Sequence, residues 1–178
     1  LDDGSMLWAD FDGDASGEVY ISSNGSVVTS DVGSGGAEAT IIVGGPGTPT
    51  GDVTIVADGA GVAIDLSGDI QAQNLFLNAA NGSIYLRNGD IDLTNGLTID
   101  TDFNVFMDSP ATIDSGGDVA MTAAGFLTVN GSVNADGDIT LLLQGPGAQD
   151  LTVGGLLASG GDINIDNAGL GDVLMSGS

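Results

Sequence analysis

Along most of the chain apolar and polar residues alternate in short runs, and each run closes on Gly, Asp or Asn. Alternation with period two places successive side chains on opposite sides of an extended strand. The pairs Leu75/Leu77, Ile84/Leu86, Ile91/Leu93, Leu97/Ile99, Val105/Met107, Val119/Met121, Leu127/Val129, Ile139/Leu141, Leu151/Val153 and Ile163/Ile165 all fit one inward face. The pattern predicts many short strands joined by turns and almost no helix.

The runs also resemble one another. A Gly followed by Asp or Ser and then alternating apolar residues recurs as GDVTIVA from Gly51, GDIQAQ from Gly68, GSIYL from Gly82 and GDIDL from Gly89. It returns as GDVAMTA from Gly117, GDITLLL from Gly137, GDINID from Gly161 and GDVLMS from Gly171. Between these stands a second phrase: GLTID at Gly96, FLTVN at Phe126 and DLTVG at Asp150. The chain divides into coils at 61–80, 81–102, 103–124, 125–149 and 150–172, with about two less regular ones over 18–60. A coil of this length cannot bury its apolar face alone, whereas stacked coils bury a continuous core. The expected fold is therefore all-β, a parallel β-helix (β-solenoid) of about seven to eight coils. A less regular region is expected over residues 1–50 and the repeats over 51–178. The competing architecture is a β-sandwich, which also has short strands and frequent turns, but its strands need not share a phrase.

Composition narrows what such a molecule does. The 178 residues include 31 Gly, no Cys, no His, 25 acidic residues and one basic residue, Arg87, for a formal charge of −24. Nucleic acid is excluded as a partner, since that affinity comes from Lys and Arg displacing counterions. With 42% hydrophobic residues the chain is not a disordered acidic tail. All but Glu18 and Glu38 of the acids are Asp, a turn residue and a poor helix former. The absence of Cys and His removes the best nucleophile and the commonest general base, so no enzyme is expected. Paired carboxylates can hydrolyse glycosides, but Arg87 is the one basic group available and reads as solvated or Asp-paired. No apolar run approaches the ~18 residues of a membrane span. The sequence opens at Leu1 without a basic-then-apolar signal and reads as a processed protein or an excerpt of a longer one. An ice-binding ladder of Thr-x-Thr is not expected either, since Thr48-Pro49-Thr50 is the one such triplet. The segments GGPGTPTG from Gly44 and QGPGAQ from Gln144 read as projecting loops.

The phrases GDITL, LTV and GSV, with Ala-Asp-Gly-Asp at 135–138, resemble the repeats of filamentous haemagglutinin-type adhesins, exported by bacterial two-partner secretion systems. The resemblance covers residues 61–175. It implies a right-handed parallel β-helix shaft, secreted to the extracellular bacterial cell surface, with a structural and adhesive task as stalk or fibre segment. The Asn-Pro motifs of that family's secretion domain do not occur here, which implies shaft and not secretion signal.

Three features carry candidate chemistry. Asp10, Asp12, Asp14 and Glu18 alternate around Gly13 and Gly17, a spacing that can wrap several oxygens around Ca²⁺. The stretch resembles the calcium loops of FG-GAP/VCBS-type repeats, and the plainer reading is an acidic, solvated turn. Asp69, Asp90, Asp138 and Asp162, with Asp118 and Asp52 as equivalents, follow Gly in successive phrases. Stacking would bring like charges within about 4.8 Å. Capping of their own turns by the Asp side chains is the expected remedy, with staggered coils or bridging cations as the others. Tyr85, Phe106 and Phe126 recur at one-coil intervals and fit either an outward aromatic column, with Phe76 on an adjacent face, or, if a bulge flips the register, a buried internal ladder. Such rows offer a surface to a partner chain or to sugar rings. The alternatives to a stalk are accordingly a self-assembling filament of head-to-tail solenoids and a carbohydrate-binding module. The partners expected are adjoining repeats or further copies, and a cell-surface glycan or protein receptor.

Overall fold

The computed structural model describes residues 6–9, 19–23, 27–28, 40–45, 48–49, 51–57, 59–147 and 149–176, and before Gly51 the one side chain described is that of Ile41. All its regular secondary structure is β-strand. Every pairing is parallel except a small hairpin in which Gly44 and Gly45 meet Pro49 and Thr48. The strands wind into a solenoid with three faces and seven rungs on each, six full turns from first rung to last. At about 4.8 Å per rung the stack is about 30 Å tall.

The first face stacks Met6–Ala9, Thr40–Gly45, the leading part of Ile70–Ala79, the leading part of Asp90–Thr101, Thr112–Ser115, Ser132–Ala135 and Leu157–Ser159. The second stacks Val19–Ser23, Val53–Ala57, the trailing parts of the same two long strands, Val119–Ala123, Ile139–Leu143 and Ile163–Asn167. The third runs from Val27–Val28 through Gly61–Ser67, Gly82–Asn88, Val105–Met107, Leu127–Val129 and Leu151–Val153 to Val173–Met175. The ladders pass residue 50 without interruption, since Ile70 stands on Ile41. Residues 6–9 and 40–45 are thus the lower rungs of the same stack.

Inward positions line up in register. On the second face Val53, Leu75, Leu97, Val119 and Ile139 form one column and Ile55, Leu77, Ile99, Met121 and Leu141 the next. On the third, Ile64, Ile84, Val105, Leu127 and Leu151 stand in file. These residues are essentially solvent-free and belong to one hydrophobic cluster. Burying each aliphatic side chain is worth about 1.5–3 kcal/mol. Nine of the ten expected inward pairs are buried. The tenth, Ile163/Ile165, lies on the seventh rung, where Ile163 is 45% exposed because no described strand covers it.

Two polar groups inside the stack are satisfied by the coil beneath. Thr101 Oγ1 donates to a carbonyl oxygen, with Ala79 O at 2.9 Å and Gly82 O at 2.7 Å, and accepts from Phe103 N. Ser115 Oγ donates to Asn95 O at 2.9 Å. Hydroxyls stand where the chain turns from one face to the next.

Candidate functional site

The corners of the solenoid hold most of its exterior chemistry. At several corners the residue that opens a strand directs both backbone groups toward the preceding coil. Asp138 is representative: its carbonyl accepts from Val119 N at 2.8 Å, and its N–H donates to Asp118 Oδ1 at 2.9 Å. The same side-chain bond joins Asp90 N to Asp69 Oδ1, Asp162 N to Asp138 Oδ1 and Asp172 N to Asp150 Oδ1, at 2.8–2.9 Å. Phe126 N donates likewise to Asn104 Oδ1 at 2.7 Å. The corner carboxylate therefore caps the corner one coil later and not its own turn, which corrects the expectation from sequence. Backbone N–H groups between successive carboxylates offset their repulsion.

The expected single file of Asp also divides in two. Asp69 and Asp90 stand at the entrance to the first face, whereas Asp52, Asp118, Asp138 and Asp162 stand at the entrance to the second. The Gly-Asp phrase marks a corner on any face, so consecutive phrases need not belong to consecutive coils. Asp52 Oδ1 accepts from Asn74 Nδ2 at 2.8 Å, and Asp90 accepts from the Thr112 hydroxyl.

On the third face Tyr85 and Phe106 are in register, with ring centroids 4.8 Å apart and planes tilted by 30°. Arg87 lies over the Tyr85 ring at 4.3 Å. Its guanidinium donates to both oxygens of Asp65, at 2.8 and 3.1 Å, and has Asp108 at 3.5 Å. The Asp65 hydrogen bond raises the Arg87 pKa above its ordinary value. Phe126 does not continue the column. The residue on Phe106 is Thr128, and Phe126 stands on the corner above Asn104, half exposed. An outward position must lie between two inward ones, and Phe126 precedes Leu127 instead of separating Leu127 from Val129. Phe76 is exposed on the second face between Thr54 and Thr98.

Two grooves follow the corner between the first and second faces. One, of about 400 Å³, is lined by Gln71, Asp92, Thr94, Asp114, Asn134 and Asp136. Asp92 and Asp114 are direct neighbours there, and Asn134 Nδ2 donates to Asp114 Oδ1 at 3.1 Å. Partial burial, then the charges of Asp114, Asp90 and Asp69, raise the Asp92 pKa. The other, of about 520 Å³, is lined in part by Asn74, Phe76, Asn95, Gly96, Thr98 and Asp118. The sequence held a signal for it in GLTID, the phrase in which Asp is missing after Gly.

Asp10, Asp12, Asp14 and Glu18, the expected calcium ligands, lie outside the described residues. Among the described residues no three acidic side chains converge as a metal would require. None of the described strands is joined by a helix long and apolar enough to cross a membrane. Comparison with protein-family models, curated proteins and solved structures returns no match.

Proposed function

We propose that the chain is a non-catalytic segment of the shaft of a secreted bacterial surface protein of the filamentous haemagglutinin type, a stalk or fibre with an adhesive task. The observation that carries this reading is the set of three parallel ladders, seven strands each, around one uninterrupted aliphatic core. Such a stack resists bending because each coil is hydrogen-bonded to its neighbours on every face, and its Asp-rich exterior keeps it dispersed. Antibodies raised against the purified chain test the location. The expected result is labelling of intact, unpermeabilised cells along extended surface structures; antigen confined to the cell interior would overturn the reading.

One observation favours a second structural reading. Among the described residues the apolar side chains of the seventh rung, Ile163, Val173 and Met175, are exposed and no further strand pairs with that rung. Open strand edges pair readily with another coil, whether from this chain or from a second copy. Calcium belongs to this proposal as the cation of Asp10, Asp12, Asp14 and Glu18, at the millimolar affinity of extracellular modules. Light scattering with millimolar calcium and with chelator separates the readings. Calcium-dependent growth in mass supports the filament, and a monomer in both conditions leaves the shaft.

A further inference from the structure

The corner that breaks the rule is the informative one. Entering the second face, successive coils present Asp52, Asn74, Gly96, Asp118, Asp138 and Asp162. Asp118 and Asp138 each accept the N–H of the next corner. Gly96 has no side chain to do so, and the N–H of Asp118 has no protein acceptor among the described residues. A Cβ placed on Gly96 would lie 3.7 Å from that nitrogen and 3.9 Å from Asn74 Oδ1. The missing carboxylate thus leaves a gap bordered by a free backbone donor and an amide oxygen.

Beside the gap lies the larger groove. Its outward file is Phe76, Thr98 and Ala120, so one aromatic ring, 39% exposed, rises beside two short side chains. Asn74 Nδ2 is already given to Asp52, which leaves Oδ1 as an acceptor. The lining therefore combines one apolar ring face with convergent donors and acceptors, within the ~300–1,000 Å³ usual for ligand sites. Arg87, the chain's one basic side chain, is held by Asp65, while Asp118 lines the groove. An anionic ligand would be repelled.

We propose that this groove binds a neutral pyranose unit of a glycan. The C–H face of the sugar lies on Phe76, a hydroxyl oxygen takes the N–H of Asp118 in place of the missing carboxylate, and hydroxyl protons go to Asn74 Oδ1 and the Asp118 carboxylate. The proposal gives the adhesive part of the proposed function a ligand class, and it rests on that reading for the setting in which the glycan is met.

The test is titration of the purified chain with neutral gluco-, manno- and galacto-oligosaccharides, followed by amide NMR and calorimetry, with a sialylated glycan as the charged control. The expected result is saturable binding of a neutral class with the Asp118 amide among the largest shifts. Phe76→Ala weakens that binding about tenfold or more, while Phe126→Ala leaves it unchanged. Gly96→Asp abolishes it by restoring the carboxylate. Because a Cβ there would also press on Asp118 O at 2.9 Å, Ala120→Leu, which fills the groove floor from an outward position, serves as a second blocking variant. No saturable binding of any neutral class, stronger binding of the sialylated glycan, or affinity unchanged in Phe76→Ala would each overturn the proposal. These outcomes do not bear on surface location, which the antibody experiment reads separately.

Discussion

At the scale of single residues, the corner Asp is the unit of design. Asp138 is exposed, yet its carboxylate is the acceptor for the N–H of Asp162 and its own N–H is held by Asp118. Asp138→Ala should cost about 1 kcal/mol in denaturant unfolding, and Asp138→Asn much less, because an amide oxygen still accepts. Equal losses would show that charge and not the acceptor matters. Asp92 behaves oppositely to a capped carboxylate. Its folded pKa lies above the unfolded one, so the folded state binds the proton more tightly. Stability from this group therefore rises as pH falls toward the ordinary Asp range and is lost above the raised value. Asp92→Asn should stabilise the protein at neutral pH, with the gain shrinking as pH is lowered; a pH-independent difference would contradict this. The sequence singled out Asp138 but not its partners, because a partner 20–24 residues away is invisible in a local phrase, and it gave no sign of Asp92.

At the scale of strands the sequence was far more legible. Alternation identified the inward residues because burial on one side of a strand is a local property, and the stack of Leu75, Leu97 and Val119 follows from it. The phase around the coil was less legible. Gly-Asp opens strands on all three faces, for a tight turn and a forward acceptor serve a corner on any of them. The aromatic column shows the same limit at finer grain: regular spacing suggested a file of three, but the position of Phe126 relative to Leu127 placed it on a corner. Phe106→Ala should therefore lose the contact with Tyr85 and destabilise by about 1 kcal/mol, whereas Phe126→Ala should change the melting temperature little. Parallel thermal melts of the two variants decide it.

At the scale of the molecule, a net charge of −24 surrounds a stack held by short-range contacts. Self-repulsion favours expansion, and salt screens it over about 10 Å at 0.1 M. The melting temperature should rise as sodium chloride is increased from low concentration; a flat response would mean that the carboxylates are already neutralised locally. The corner bonds add something that charge does not. At the Asp corners a coil offers its carboxylate to the coil that follows it, as Asp118 does to Asp138 and Asp138 to Asp162, and receives both polar groups of that coil's corner. The structure thus has an arrow. A coil laid down earlier in the chain is a finished mould for the next one, while a later coil formed first would hold corner N–H groups with nothing beneath them. Growth in the order of synthesis satisfies each new corner as it closes, so the molecule can be completed one turn at a time as the chain emerges.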